Sequence, residues 1–395
     1  MTRSSLHFFF LNVGHALDHC FILIFPTVVL ALENEWQLGY GELLKYGMVG
    51  VFAFGAASIP AGWLGDRWSR TGMMTVFFVG IGLASIATGL ARTPLQIGLG
   101  VAFIGLFAAI YHPVGIALVF GTATRTGRAL AVNGVWGNLG LAAAAGMAGL
   151  LTQAFTWRAA FMVPGAISVV VGIAYALTVA RRARPAQAPA GNSRAVRAPA
   201  GSMVRVFVGI AVIATFGGLI FHAMTTALPK ILEAQSSAGG LAGIGGKATV
   251  VFAFAALAQL VVGELLDRFP AKWILAAATG AQAAMLYLAP AGQGPLLIVI
   301  MLVLMFGVFG QIPINDWLVG HYSTEAWRGR FYALKYTLGL GVAVIAYWLV
   351  AQTHAAAGSF VTLYVLLGAF MTVVTVTAAL LPRRSLPEAA ASQRP

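Results

Sequence analysis

Four polar residues interrupt the first long apolar run of the chain, which extends from about residue 6 to residue 31. They lie three and four positions apart, so on a helix they share one stripe near its middle: Asn12, His15, Asp18 and His19. A carboxyl group removed from water binds a proton more readily, and histidine titrates near neutral pH. We therefore predict a proton-coupling site formed by Asp18, His19 and His15. The alternative is that the histidines only form interhelical hydrogen bonds.

Polar residues within later apolar runs are candidate substrate-binding groups. Tyr111 and His112 precede Pro113, and a proline inside a helix leaves a backbone carbonyl without its donor. A proline kink beside a structurally bonded histidine explains this pair equally well. His222 and His19 each lie seven residues before a proline, so we expect them to occupy equivalent positions. The full predicted binding set is Asn12, Tyr111, His112, His222, Asn315, Asp316, Lys335 and Tyr336.

Lys335 and Asp316 form a predicted ion pair, because each lies near the same end of an apolar run and a buried lysine requires an acidic partner. Such a pair could close a gate or bind the charge of a substrate. Alternatively, Lys335 extends its ammonium group to the membrane surface.

The elements that carry these residues are predicted to be membrane helices. The 395 residues are 59% hydrophobic and only 9% charged, and twelve apolar runs are about long enough to cross a bilayer as helices. Most of the 24 Lys and Arg fall on one side if the runs alternate from an internal N-terminus. By the positive-inside rule, both termini should be cytoplasmic. The net charge of +13 therefore indicates topology, and we expect no nucleic-acid partner.

The chain is organised as two halves. Residues 181–202 are rich in Pro, Ala and Arg and are predicted to be a cytoplasmic linker. This linker separates an N-terminal six-helix bundle, residues 1–180, from a C-terminal six-helix bundle, residues 203–382, and a cytoplasmic tail follows at 383–395. A short Asp-Arg segment occurs once in each half, which predicts a pseudo-two-fold relation of the kind found in transporters.

These two segments resemble the loop signature of the major facilitator superfamily, G-x-L-x-D-R-x-G-R. The first copy matches at Gly62, Leu64, Asp66, Arg67 and Arg70, with Ser69 where glycine is usual. The resemblance implies a major facilitator fold: an all-α membrane protein with twelve transmembrane helices in two pseudo-symmetric six-helix bundles. It also implies a charged gate that holds the two halves together; simple membrane anchors are the alternative. The predicted gate residues are Gly62, Asp66, Arg67, Arg70, Asp267 and Arg268.

A narrower resemblance joins three further segments. Gly14-His15-x-x-Asp18, Tyr111-His112-Pro113 and Gly137-Asn138-Leu139-Gly140 are similar to the drug-efflux branch typified by the fosmidomycin resistance protein. The resemblance implies export of a drug-like compound. The chain departs from related drug antiporters at Leu150-Leu151, where those proteins usually carry Gly-Pro.

We therefore expect a proton-coupled secondary transporter of the inner membrane that moves a small solute by alternating access, with efflux of a drug-like or anionic compound preferred. One alternative is solute uptake by proton symport. Another is a metal or metal-chelate carrier, with candidate ligands His15, Asp18, His19, His112 and His222.

Other classes of protein are disfavoured. The phosphate-binding pattern G-x-x-x-x-G-K-[ST] does not occur, so ATP is not the expected energy source. Short loops leave no room for a catalytic domain, so we expect no enzymatic activity and no cofactor. The expected partners are a small-molecule substrate, protons and the lipid bilayer, and the expected state is a monomer.

Overall fold

The computed structural model describes residues 3–122, 126–179, 200–235, 239–322 and 325–381, and every regular element in those ranges is helical. The α-helices are α1 (Arg3–Trp36), α2 (Tyr40–Arg67), α3 (Arg70–Gly89), α4 (Pro94–Ala108), α5 (Ile116–Thr122), α6 (Thr126–Ala154), α7 (Trp157–Thr178), α8 (Ala200–Gln235), α9 (Gly240–Ala256), α10 (Ala258–Arg268), α11 (Ala271–Leu288), α12 (Gly294–Tyr322), α13 (Glu325–Ala357) and α14 (Val361–Leu380). A π-helical segment, Tyr111–Gly115, lies between α4 and α5, and a 3₁₀ turn, Ala289–Ala291, follows α11.

Membrane-spanning helices account for nearly all of the described chain. Eleven of them are long and apolar enough to cross a bilayer, and α13 adds the shorter apolar stretch Gly341–Ala357. Two of the predicted runs are built from more than one helix: α4, the π segment and α5 form one, and α9 and α10 form another. The predicted all-α membrane fold is confirmed.

Contacts divide the chain into two compact units that cut across the sequence order. Unit 1 comprises Met1–Gln187, Thr225–Ala253 and Val350–Ala356, and unit 2 comprises Ala188–Met224, Phe254–Leu349 and Ala357–Pro395. The end of α8, most of α9 and the end of α13 therefore belong with the first seven helices. The bundle boundaries at residues 180 and 203 stay a prediction.

Glycines bring α6 unusually close to its neighbours in unit 1. A Cβ atom at Gly140 would lie 1.9 Å from the Ala16 carbonyl oxygen of α1, so only glycine fits there. Farther along α6, Gly149 faces the Leu241 carbonyl of α9, where a Cβ atom would lie at 2.3 Å. This small-residue packing is typical of membrane helices. It sets α6 directly against the polar stripe of α1.

The π-helical segment places His112 opposite the same stripe. Pro113 lies inside the segment and lacks a backbone N–H, which favours a local break in the α-helical hydrogen-bond ladder. Against its outer side pack Gly62 and Gly65 of α2, where Cβ atoms would lie 3.2 Å from Pro113 and 2.8 Å from Val114. The glycines before the Asp-Arg turn therefore allow α2 to approach the π segment.

Candidate functional site

Three imidazole rings meet in the middle of unit 1. His15 and His19 come from α1 and His112 from the π segment, and one ligand atom of each lies within 4.8 Å of those of the other two. The ring centroids of His15 and His19 are 4.6 Å apart, and those of His15 and His112 are 5.4 Å apart. We call these three residues the histidine cluster. The structure thus brings together three residues that the sequence assigned to two separate roles.

Asp18 lies beside the histidine cluster. Its side chain is fully buried, and Oδ2 is 3.4 Å from Nε2 of His112, longer than an ordinary hydrogen bond. Neither carboxylate oxygen accepts a hydrogen bond from the described residues. A buried carboxylate in contact with a single imidazole is costly when charged and is stabilised by protonation of either partner. This arrangement can hold a proton.

Asn133 of α6 organises the wall behind the cluster. Its side-chain Nδ2 donates to Oδ1 of Asn12 at 3.0 Å and to the Tyr111 hydroxyl at 2.9 Å. Its backbone carbonyl lies 2.8 Å from Nδ1 of His15. Because a carbonyl only accepts hydrogen bonds, Nδ1 of His15 must carry the hydrogen. The network therefore selects one tautomer of His15.

The contacts of Tyr111 are those of a residue that positions the neighbouring His15. It is fully buried, its ring stacks on His15 with centroids 4.8 Å apart, and its hydroxyl donates to the Leu11 carbonyl at 2.7 Å. Asn12 is also buried and uses Oδ1 to accept from Asn133. These contacts favour support of the cluster by both residues. The side chain of His112 is 30% exposed, whereas His15 is buried.

Asn133 was not among the residues that the sequence analysis selected. A signal was present, because an amide within a long apolar helix is itself a candidate polar contact. Asn133 has no acidic or histidine neighbour on α6, and its role comes from residues more than 20 positions away along the chain. Only packing shows this role.

The first Asp-Arg turn is a compact local structure. Asp66 closes α2 and accepts from Nη2 of Arg70, the first residue of α3, at 2.8 Å. Between the helices, Ser69 is the N-cap of α3, and its Oγ accepts from the Gly72 amide at 3.0 Å. The serine that departs from the family signature therefore caps a helix. Arg67 lies 5.3 Å from the ring centroid of Trp63.

The second Asp-Arg turn is built differently. Arg268 pairs with Glu264, one helical turn earlier on α10, and both side chains are largely exposed. Asp267 closes the same helix beside it. A Cβ atom at Gly263 would meet nothing within 4 Å, in contrast to Gly62 in the first copy. The two Asp-Arg turns have matching sequences, but only Gly62, and not its counterpart Gly263, packs closely against a neighbouring helix segment.

The other predicted binding residues belong to unit 2. His222 hydrogen bonds to the backbone of Gly339. The Asn315 side-chain Oδ1 is buried without a hydrogen-bond partner among the described residues, and Asp316 follows it on α12. Lys335 and Tyr336 lie on α13, but their side chains are outside the described part of the chain. The predicted Lys335–Asp316 pair stays a prediction.

Comparisons with known proteins define the class of this molecule. The family model described as Major Facilitator Superfamily matches residues 14–334, and the chain belongs to this family of membrane transporters. In addition, a stretch of 144 residues is 33% identical to the puromycin resistance protein pur8 of Streptomyces alboniger. That match covers 35% of this chain and 29% of the Streptomyces protein.

Solved structures show the same fold over nearly the whole chain. A bacterial homologue of the human lysosomal transporter Spinster, in an inward-facing and occupied conformation, has a TM-score of 0.73 at 14% identity and covers 98% of each chain. The D-xylose–proton symporter has a TM-score of 0.74 at 12% identity and covers 95% of this chain and 97% of its own. The chain is thus a multi-pass membrane transporter of the major facilitator type.

Proposed function

We propose that this transporter is coupled to protons and that Asp18 carries the coupling proton. The observation that supports this is a fully buried carboxyl group near the middle of α1, with no hydrogen bond from the described residues and one imidazole 3.4 Å away. An ionisable residue inside a membrane helix is by default a functional residue, since its burial is costly. His15 and His19 complete the proposed coupling site.

Every residue of the predicted binding set keeps a role in the proposed site. Some are proposed to contact the substrate, and others hold their neighbours in place. In unit 1, His112 is the proposed contact, and Asn12 and Tyr111 hold His15 in place. In unit 2, the proposed contacts are His222, Asn315, Asp316, Lys335 and Tyr336.

Efflux of a drug-like or anionic compound is the direction we propose. Support comes from the partial identity to a puromycin resistance protein and from the resemblance of three segments to the fosmidomycin branch. Uptake by proton symport is the competing direction. Transport of a metal or metal chelate is the second candidate function, and the observation that favours it is the meeting of three histidines in unit 1.

We further propose that the protein lies in the inner membrane with both termini cytoplasmic, as its charge asymmetry favours. Cys20 is the sole cysteine and is buried, so introduced cysteines report topology cleanly. In a Cys20→Ser background, an impermeant maleimide added to intact cells should label Asn34→Cys, near the end of α1. Trp68→Cys, in the turn between α2 and α3, should stay unlabelled. The reverse pattern would contradict this orientation.

The coupling proposal is tested in proteoliposomes with an imposed pH gradient and a panel of candidate solutes. Asp18→Asn preserves shape, so it should abolish gradient-driven accumulation while downhill exchange continues. His7→Gln is the matched control, because His7 lies on the same helix but hydrogen bonds to Tyr175. Accumulation of solute by Asp18→Asn against its gradient would assign coupling to another group, such as Asp316 or a histidine.

A further inference from the structure

The nitrogens of the histidine cluster have nearly the spacing of metal ligands. One ligand atom of each histidine lies within 4.8 Å of the others. Around a tetrahedral ion with metal–nitrogen distances of about 2.0–2.1 Å, neighbouring nitrogens are about 3.4 Å apart. For the three nitrogens to share one ion, the rings therefore have to approach one another by up to about 1.4 Å.

The tautomer of His15 is the one that a metal ligand needs. Its Nδ1 donates to the Asn133 carbonyl, so Nε2 carries the free lone pair. That Nε2 is buried and makes no hydrogen bond within the described part of the chain. On the α6 side its neighbour is Gly137, where a Cβ atom would lie only 2.7 Å away, so residue 137 has no room for a side chain against this nitrogen. Donation of the second ring N–H to a backbone carbonyl is the usual support for a metal-bound histidine.

Charge and access complete the site. Asp18 supplies a negative charge 3.4 Å from His112, in a region that would otherwise leave a cation uncompensated. His112 is 30% exposed, which gives an ion a way to reach the cluster. Imidazole ligands suit Zn²⁺, Cu²⁺, Ni²⁺ and Co²⁺, whereas Mg²⁺ and Ca²⁺ prefer oxygen ligands.

We propose that His15, His19 and His112 bind one divalent first-row transition-metal ion, with Asp18 as the carboxylate that balances its charge. The metal site stands on the geometry of the cluster and on the hydrogen bond that orients His15. It concerns binding, and it holds whether or not Asp18 couples transport to protons.

The test uses the full chain in detergent, purified without a histidine tag. Co²⁺ titration should saturate at one ion per chain with the intense visible absorption of a tetrahedral site, and Zn²⁺ should displace it. His112→Ala and His19→Ala should each weaken binding at least about tenfold, as loss of a ligand weakens affinity no less than loss of its support does. His7→Ala, on the same helix, should bind as the wild type does.

Absence of saturable Co²⁺ binding to the wild type would overturn the proposal. So would unchanged affinity in both His112→Ala and His19→Ala, or an equal loss in His7→Ala. If His112→Ala does not fold, His112→Gln keeps the size of the side chain and must weaken binding. The two proposals fail separately, because metal binding is measured without transport and proton coupling is measured without metal.

Discussion

The two ends of unit 1 carry ion pairs of opposite character. At the end of α2, Asp66 and Arg70 are four residues apart, with 66% and 31% of their side chains exposed. At the end of α1, Nζ of Lys230 lies 2.6 Å from carboxylates of both Glu33 and Glu233, and these three side chains are 15–25% exposed. The first pair secures a local turn. The second joins α1 to a helix 197 residues further along the chain.

Other contacts reinforce the Lys230 end. The Tyr40 hydroxyl donates to the Thr226 carbonyl at 3.4 Å, and the Tyr40 ring lies edge-on to His354, with centroids 5.1 Å apart. A Cβ atom at Gly41 would lie 2.5 Å from the Ala351 carbonyl. These contacts join residues before position 181 to residues after position 202. If this end of unit 1 opens during transport, they have to separate.

Lys230→Met should produce the largest effect on stability. It leaves two partly buried carboxylates without their shared cation, and loss of one partner from a fully buried pair costs about 3–5 kcal/mol. Because these side chains keep some exposure, we expect Lys230→Met to lower the free energy of unfolding by about 2 kcal/mol. This loss is measured as a lower melting temperature in detergent. Lys247→Met, on α9 of the same unit, is the control and should change the melting temperature little. Equal melting temperatures for the two variants would show that Lys230, Glu33 and Glu233 do not hold this end together.

The two glutamates should differ in their effects. Glu233 is three residues from Lys230 on the same helix, whereas Glu33 is the link to α1. We expect Glu33→Gln to lower the melting temperature more than Glu233→Gln, since local helical pairs contribute only about 0.2–0.5 kcal/mol. A larger loss in Glu233→Gln than in Glu33→Gln would mean that the ion pairs of Lys230 mainly stabilise α8 itself.

Asp66→Asn should leave stability nearly unchanged, because an exposed ion pair contributes at most about 1 kcal/mol. If the predicted gate function of Asp66, Arg67 and Arg70 is correct, the variant should nevertheless transport more slowly. Initial rates in proteoliposomes at matched protein content measure this. Wild-type rates would reduce Asp66 to a membrane anchor.

Ser69→Gly should have the smallest effect. Glycine is tolerated at a helix N-cap, so replacing the serine costs only a few tenths of a kcal/mol. Alanine does not cap a helix and is disfavoured at the N-cap, so Ser69→Ala should lower the free energy of unfolding by about 1 kcal/mol. Thermal unfolding of both variants compares them. An effect of Ser69→Gly as large as that of Ser69→Ala would contradict the capping role.

Sequence reasoning was most successful where the signal was local. The spacing of His15, Asp18 and His19 predicted that they share one stripe of a single helix, and all three lie on α1. The pairing of Asp66 with Arg70 was likewise within reach, since the two residues are a single turn apart. Neither finding establishes a function, so the roles in coupling and gating stay predictions.

Sequence reasoning did not identify residues whose partners lie far away along the chain. Glu33 and Lys230 both lie near helix ends, where charged residues are ordinary, so neither carried a signal by itself. Asn133 carried a signal as an amide within an apolar helix, but nothing on α6 pointed to its partners. Each acquires its role from a residue more than 100 positions away, Lys230 with Glu33 and Asn133 with His15.

By itself, the sequence determined that this protein is a bundle of membrane helices with a polar stripe on the first, because apolar length and helical spacing are properties of contiguous residues. Tertiary structure decided that His112 joins His15 and His19, and that Asn133 selects the tautomer of His15. It also decided that one lysine ties α8 to α1. The physical reason is that these contacts depend on helix packing, which glycines such as Gly140 permit and which no single segment specifies.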